Sequence, residues 1–432
     1  MFGIPSAGPR RFRAVAGLAV AAIIAAPVLS ACGSSGSGSP ASSSGGSSSS
    51  KYAPSPLNLT SAERGTILQK AFLTNSVSAS SVGPVILQGL EEAGRGYTAA
   101  QASKAWACQS QATCKIGNGS QTLAYLDGSG GNLWREITRA AITLEAEDYP
   151  NIGTVMYLNA AGSLQTMQAD LKTLIARRVT GIVTYDDFGP AMTAAFQQAK
   201  AAGIPIVAFG GTPGSGAVNA VVSPVQSSFC NDGVQMAQTT DKMLGGHGNV
   251  AFFTGTPGNP QGAGWQSCAA SWFTKNAPGI KVVDKSNTGW SNSGTVSATS
   301  ALIATGKKID AVLYDYANQT VNIVQTYQHA KQQVPDQVTW TTDNQLLQLW
   351  EQGQKSSAPW KLADSSSINF EGNIALAALM SHLAGKSVPS TLNFPLPFVE
   401  AQVGDYSASQ PADGPGPTLM PGSLLSKLLS GS

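Results

Sequence analysis

The chain has 432 residues, 42% of them hydrophobic, which is enough for one large or two medium globular domains with substantial cores. Only 12% of the residues are charged, the formal net charge is +2, and no basic stripe or charge block occurs. A nucleic-acid partner is therefore not expected.

The first 31 residues have the pattern of an export signal. Arg10, Arg11 and Arg13 precede an uncharged apolar run at residues 14–29, which is shorter than the ~20 residues that span a bilayer. The run ends in Leu-Ser-Ala-Cys at Cys32, which resembles the lipobox of bacterial lipoproteins, where the cysteine becomes the first mature residue and carries the lipid. The alternative is an ordinary cleavage site with a cysteine nearby by chance, and the export route stays open.

Residues 32–50 form a Ser/Gly linker after the predicted signal. Residues 33–50 contain eleven Ser and five Gly, a composition that cannot bury a core and predicts a tether with a root-mean-square reach of roughly 20–25 Å. Together with a lipid on Cys32, this predicts a folded domain anchored at the outer face of the bacterial cell membrane.

Four cysteines remain in the exported part of the chain: Cys108, Cys114, Cys230 and Cys268. An even number outside the cytoplasm indicates two disulfides. The six-residue separation favours pairing of Cys108 with Cys114, which leaves Cys230 for Cys268, although four cysteines permit three connectivities. No CxxC or HxxxH spacing occurs, so neither a metal site nor a cofactor is predicted.

Residues 51–120 predict a helical N-terminal extension without recognisable chemistry. From Gln121 onward, apolar strands such as GIVTYD and IPIVAFGG alternate with amphipathic helices, and the alternation starts again after residue 223 with GNVAFFTG and DAVLYDY. Strands that are apolar on both faces predict parallel sheets covered by helices on both sides. The similar strings GIVTYD and DAVLYDY, at matched places, indicate two lobes of like topology.

The order of these segments resembles the type I periplasmic binding protein family, in particular the ribose-like solute-binding proteins of ABC importers. The resemblance covers about residues 121–402 and rests on ADLKTLIARRVTGIVTYDD, AFQQAKAAGIPIVAF, GGHGNVAFFTGTPGN, NAPGIKVVDKSNTGW, KIDAVLYDYANQ and TWTTDN. It implies an α/β fold of two doubly wound parallel-sheet lobes joined by a three-crossover hinge. The expected division is 121–222 with 368–395 for lobe 1, 223–367 with 396–402 for lobe 2, and a tail at 403–432. The implied function is that of a monomer that binds a small polar, sugar-like ligand in the cleft and delivers it to an ABC permease.

The resemblance also implies where the ligand contacts lie in lobe 1, since loops after parallel strands meet at such a cleft. Asn132 and Trp134, in GNLW, match the family's asparagine and aromatic contacts. Tyr185, Asp186 and Asp187 match the place of an aspartate that binds sugar hydroxyls, with the register between the two acids open. A core aromatic at Trp134 and a solvated acidic loop are the structural alternatives.

In lobe 2, the implied contacts follow the corresponding strands. Asp343 matches the family's aspartate after a strand, with Asn344 beside it, while the alternative for Asp343 is the N-cap of the next helix. Trp290, Asp315 and Tyr316 follow two further strands, and the two aromatic residues are candidates for stacking on a sugar ring.

Two departures from the family pattern affect the ligand. Gly210 and Gly211 stand where ribose-type members have Asp-Arg, and the loop GTPGNPQGAGWQ lacks their arginine, for which Gln261 or Gln266 is the candidate substitute. The loss of a bidentate guanidinium leaves a modified sugar, a polyol or another polar metabolite as open alternatives.

Three other functions are distinguishable from transport. A sensor module of the same fold would present its ligand state to a membrane receptor kinase. A hydrolase is disfavoured because the chain has no GxSxG and none of its three histidines follows a cleft strand. A transcriptional repressor of this fold would need a helix-turn-helix in place of the export signal, so no enzyme and no repressor is expected.

Overall fold

The computed structural model of the protein describes residues 52–211, 213–415 and 418–430. The predicted signal at 1–31, the predicted lipidation site Cys32 and the linker at 32–50 lie outside these residues. Within the described part of the chain, no helix combines the length and apolar character needed to cross a membrane.

The described part of the N-terminal extension contains four α-helices and one strand, α1 (Ser61–Phe72), α2 (Ala79–Val82), α3 (Pro84–Gly94), α4 (Ala99–Cys108) and β1 (Thr113–Lys115). α1 and α4 begin with capping boxes, in which Thr60 exchanges hydrogen bonds with Glu63 and Thr98 with Gln101. A disulfide between Cys108 and Cys114 joins the end of α4 to β1.

The first half of the α/β region alternates as the sequence predicts, through β2 (Gln121–Asp127), α5 (Leu133–Ala146), β3 (Ile152–Asn159), α6 (Leu164–Ala176), β4 (Gly181–Tyr185), α7 (Thr193–Ala201), β5 (Ile206–Phe209) and β6 (Ser223–Gln226). Every residue of β4 and β5 is buried, because helices cover both faces of the sheet. β6 runs parallel to β5. The strand at 223–226 thus belongs to the first sheet, and the lobe boundary expected at residue 223 moves to the segment between Gln226 and Phe229.

The second half repeats the pattern through α8 (Phe229–Leu244), β7 (His247–Thr254), α9 (Pro260–Asn276), β8 (Gly279–Asn287), α10 (Asn292–Ala304), β9 (Ala311–Tyr314), α11 (Ala317–His329), β10 (Asp336–Thr339), α12 (Asn344–Gln354) and β11 (Leu362–Asp364). A disulfide between Cys230 and Cys268 joins α8 to α9. Both cysteine pairs favoured by the sequence are therefore present.

The chain then returns to the first lobe in α13 (Glu371–Leu383) and β12 (Leu392–Asn393) before β13 (Val399–Glu400) joins the second sheet. Residues 371–381 of α13 are buried all round, since the first sheet covers one side and α3 the other. Gly89 of α3 permits this contact, because a Cβ there would lie 2.5 Å from the Cα of Ile374. The extension therefore completes the first lobe.

The two sheets have the strand orders β1-β3-β2-β4-β5-β6-β12 and β13-β11-β10-β9-β7-β8. Their central five strands, β3-β2-β4-β5-β6 and β8-β7-β9-β10-β11, follow the same order and are parallel. The chain crosses between the sheets after β6, after β11 and after β12. The predicted fold class, two doubly wound lobes joined by three crossovers, is confirmed.

The C-terminal tail after β13 ends in a helix, α14 (Gly422–Ser430), of which Leu424, Leu425 and Leu428 are buried against α4 and α5. The C-terminal helix therefore docks on the first lobe.

Candidate functional site

A cleft opens between the two sheets, at the carboxyl ends of their central strands. It encloses about 450 Å³ of space between the atoms, including a part open to solvent. Four lining residues come from the first lobe, six from the second and one from the crossover after β11: Asn132, Trp134, Arg135, Tyr185, Gln261, Trp290, Asp315, Tyr316, Trp340, Thr341 and Ile368. This is the position where open α/β sheets bind ligands.

Arg135 occupies the first lobe's side of the cleft from the first turn of α5. Asn132 caps this helix by accepting the Arg135 backbone N–H at 3.0 Å. The guanidinium donates to Asp127 Oδ1 at 2.8 Å and to Asp187 Oδ1 at 2.9 Å, and its carbon lies 3.2 Å from the centre of the Tyr185 ring. Two carboxylates and one aromatic face therefore hold the guanidinium in a single orientation.

The charges of this cluster disfavour an anionic ligand. Burial by itself lowers the pKa of Arg135, but Asp187 and Asp127 outweigh it and hold that pKa well above its usual value. Burial raises the pKa of Asp187 to about 6, against the opposing effect of Arg135. The guanidinium is thus already paired with the carboxyl groups of Asp127 and Asp187, so its N–H groups bind neutral oxygen acceptors more readily than a further anion.

Trp134 is the half-buried aromatic residue of the same helical turn. Its ring makes an edge contact with Tyr185, with 5.7 Å between ring centres. Its indole Nε1–H donates to the carbonyl oxygen of Ser367, in the crossover after β11, at 2.7 Å. The orientation of Trp134 is therefore tied to the hinge as well as to the first lobe.

Asp315 is the centre of the second lobe's side of the cleft. It is 3% exposed and accepts hydrogen bonds from Thr254 Oγ1 at 2.5 Å, from Trp265 Nε1 at 2.9 Å and from Trp290 Nε1 at 2.7 Å. Burial raises its pKa to about 6 although these three donors favour the carboxylate. Most of its acceptor capacity is already used, so Asp315 chiefly positions Trp290.

Trp290 packs directly on the backbone of Gly255, where a Cβ would lie 1.9 Å from an indole carbon. Its own φ is +49°, in the left-handed region. Thr341 and Ile368, with φ of +61° and +49°, also line the cleft, and β-branched residues rarely adopt such values. Strained backbone of this kind costs of order 1–3 kcal/mol per residue and concentrates at functional sites.

Five of the residues predicted as ligand contacts lie outside the lining of the cleft: Asp186, Asp187, Gln266, Asp343 and Asn344. Asp186 is fully buried and closes the turn after β4 by accepting the N–H of Gly189 at 2.9 Å, and burial raises its pKa to about 7. Asp187 reaches the cleft only through its ion pair with Arg135. Gln266 lies on α9 away from the opening, while Gln261, at the start of the same helix, lines it.

Asp343 has the capping role that the sequence left as its alternative. Its Oδ1 accepts the backbone N–H groups of Gln345 and Leu346, both at 3.0 Å, and Asn318 donates to its Oδ2 at 3.2 Å. It lines a separate recess beside the cleft. The amide of Asn344 bonds to the C-terminal tail, so neither side chain faces the main opening.

The structure adds four lining residues that sequence reasoning missed: Arg135, Trp340, Thr341 and Ile368. Arg135 directly follows the predicted contact Trp134. It supplies the cleft with a guanidinium, although the two loops that carry an arginine in ribose-type members have none in this chain. Trp340 comes from the end of β10, and Thr341 and Ile368 lie at the hinge. The signal that could have singled out Arg135 is its place in the first turn of α5, one residue after a predicted contact.

The lining residues suit binding better than catalysis. Among the residues described, the lining of the cleft includes no His, Ser, Cys or Lys, and no group of three or more His, Cys, Asp or Glu side chains is placed to hold a metal ion. Five large aromatic side chains, two amide groups and one guanidinium provide apolar faces and hydrogen-bond donors instead.

Comparison with known proteins agrees with this geometry. A family model described as the periplasmic binding protein domain matches residues 125–387. No curated protein sequence matches the chain significantly.

Three solved structures are similar in fold, and each similarity covers 65% of this chain. The periplasmic binding protein component of an arabinose ABC transporter from Shewanella sp. ANA-3, bound to L-arabinofuranose, is 15% identical, with 92% of that chain covered and a TM-score of 0.59. A periplasmic solute-binding protein from Actinobacillus succinogenes 130z, with D-allose, is 19% identical, with 97% covered and a TM-score of 0.57. A solute-binding protein from Bacillus halodurans C-125, with myo-inositol, is 16% identical, with 95% covered and a TM-score of 0.57.

A two-lobe α/β clamp with a polar and aromatic cleft defines a class of extracytoplasmic binding proteins. The chain belongs to the type I periplasmic binding protein family. The fold and family are those of proteins that bind solutes without transforming them, which argues against the hydrolase alternative.

Proposed function

We propose that the protein is a lipid-anchored solute-binding protein that captures a neutral sugar or sugar-like compound and delivers it to an ABC permease. The observation that carries this proposal is the composition of the cleft: aromatic side chains from both lobes line it together with one ion-paired guanidinium. Aromatic faces cover the C–H surfaces of a sugar ring, while N–H and amide groups bind its hydroxyls. The three solved relatives have sugars or a polyol bound.

The membrane part of the proposal rests on the sequence before residue 51. The lipobox-like cysteine and the Ser/Gly linker are those of an anchored protein, and the family acts outside the cytoplasm. An anchored receptor remains close to its permease, which raises the effective concentration of loaded protein at the transporter.

The test is a thermal-shift screen of the purified protein with neutral pentoses, hexoses and polyols, alongside anionic sugar acids, amino sugars, nucleosides and amino acids. A ligand that binds only the folded state raises Tm. We expect the largest shifts from neutral hydroxylated compounds. No shift from any class would refute the proposed function, whereas a preference for amino acids or nucleosides would refute only its sugar component.

A matched pair of variants locates the binding in the cleft. Trp290→Ala removes a cleft aromatic and should weaken the best compound by roughly 30-fold, about 2 kcal/mol, in a calorimetric titration. Trp272→Ala removes the same side chain from α9, outside the cleft, and should leave the affinity unchanged. Equal losses in both variants would show that the cleft is not the binding site.

A further inference from the structure

The C-terminal tail begins on one lobe and ends on the other. It leaves β13, the antiparallel edge strand of the second sheet, and its last helix, α14, packs on α4 and α5 of the first lobe. The three crossovers of the fold precede this segment, so the tail is an additional path between the lobes.

The attachment to the second lobe centres on Asn344, at the start of α12. This side chain is 3% exposed. Its Oδ1 accepts the backbone N–H of Ser407 at 3.0 Å, and its Nδ2 donates to the carbonyl oxygen of the same residue at 3.0 Å. The backbone N–H groups of Asn344 and Gln345 donate to the carbonyl oxygens of Gly414 and Ala412, both at 2.8 Å. Hydrogen bonds therefore hold the tail along the N-terminus of α12.

The attachment to the first lobe is apolar. Three leucines of α14 and Met420 are buried, at exposures between 0% and 8%, against alanine and aliphatic side chains of α4 and α5. The leucines occupy one face of α14, at the i, i+1 and i+4 positions of Leu424, Leu425 and Leu428. On the opposite face, Ser426 is exposed.

The segment between the two attachments is short. Five Cα–Cα steps separate Pro415, which forms a bridge with Asp343, from Met420. Fully extended, these steps span at most roughly 18 Å. Asp413 and Pro415 also line the recess beside the cleft, together with Trp134 of the first lobe and Tyr316 of the second. The tail thus passes the place where the lobes must separate.

We propose that the tail is a fourth connection between the lobes, which restricts how far the cleft opens. A hinge of three crossovers permits rigid-body opening of two lobes. A short link fixed at both ends sets an upper limit on the distance between the lobes. Opening the cleft beyond that limit requires that one of the two attachments is released. The proposal concerns the motion of the lobes and does not depend on the identity of the ligand or on the proposed function.

The test measures the distance between the lobes in the ligand-free protein. Spin labels at introduced cysteines replace exposed Lys172 on α6 and exposed Ser297 on α10, one on each lobe. Asn344→Ala weakens the attachment to the second lobe, Leu424→Asp weakens the attachment to the first, and Ser426→Asp is the matched control for a charge on α14.

We expect each attachment variant to shift the mean label distance upward by roughly 5 Å or more and to broaden its distribution, while Ser426→Asp matches the parent. Because releasing either end frees the same link, the double variant should open no further than the single ones. Hydrogen exchange of residues 405–414 verifies release in the Asn344→Ala protein, and circular dichroism verifies that each variant is folded. An unchanged distance distribution in folded Asn344→Ala with faster exchange in the tail would overturn the proposal, whatever the state of Leu424→Asp.

Discussion

Replacing Arg135 by Met should destabilise the protein through the carboxylates that it leaves behind. Asp127 keeps other donors, since the hydroxyls of Tyr125 and Tyr157 lie 3.2 Å and 3.1 Å from its Oδ2. Asp187 has side-chain hydrogen bonding only from Arg135 among the described residues, and its side chain is 7% exposed. Removing one partner of a buried ion pair costs about 3–5 kcal/mol, because the other charge stays buried without compensation.

The assay is a double-mutant cycle in guanidinium unfolding. We expect Arg135→Met to lose about 3–5 kcal/mol and Asp187→Asn to lose less than about 2 kcal/mol, because Arg135 keeps Asp127. The double variant should recover at least about 1.5 kcal/mol relative to Arg135→Met, since the neutral amide needs no counter-charge. Arg139→Met is the control on the same helix: its guanidinium donates to backbone carbonyls, so Asp187→Asn should not rescue it.

The double variant also separates stability from binding. A folded Arg135→Met/Asp187→Asn protein should bind the compound found in the thermal-shift screen more weakly, because a guanidinium that lines the cleft is missing. A loss below about 1 kcal/mol for Arg135→Met, or no rescue by Asp187→Asn, would refute the assignment of a buried, charge-balancing role to Arg135.

Three further predictions concern the rest of the molecule. The α8–α9 disulfide closes a loop of 38 residues and the α4–β1 disulfide a loop of six. In unfolding experiments, replacing the first pair by alanines should therefore lower the free energy of unfolding by about 4 kcal/mol, and replacing the second pair by about 2 kcal/mol. Equal losses would contradict the loop-entropy reasoning. Burial raises the pKa of Asp232 from 3.8 to about 8, so the folded protein holds this proton more tightly than the unfolded chain does. The free energy of unfolding should therefore fall as pH rises from about 4 to 8, by up to about 1.4 kcal/mol per pH unit. Asp232→Asn should reduce that slope in urea midpoints measured between pH 5 and 8, and an unchanged slope would exclude Asp232 as its source. Cys32→Ser should move the protein from the membrane fraction to the soluble exported fraction, and retention in the membrane would contradict lipid anchoring at that residue.

The order and type of the secondary-structure elements were accessible from the sequence because they depend on local patterns. Runs such as GIVTY and IVAF are apolar at every position, which favours a strand buried on both faces in any parallel α/β sheet. The matched strings that end in Tyr185-Asp186 and Tyr314-Asp315 indicated two lobes of like topology, and the common strand order of the two sheets confirms it.

The contacts of individual polar side chains were not accessible in this way. An aspartate after a strand and before a helix suits ligand binding and helix capping equally, and only the folded chain shows that Asp343 accepts N–H groups of α12. Arg135 becomes part of the cleft because Asp187, 52 positions away, is brought to 2.9 Å by the pairing of β2 with β4.

The sequence by itself determined that this chain has two similar α/β lobes, an export signal pattern and cysteines suited to two disulfides, since each depends on residue type and spacing along the chain. The tertiary structure alone decided which side chains face the opening, and that the tail joins the two lobes. The physical reason is that a carboxylate or amide has few lone pairs and protons, and their use by a helix, an arginine or the tail is settled only when distant segments pack together.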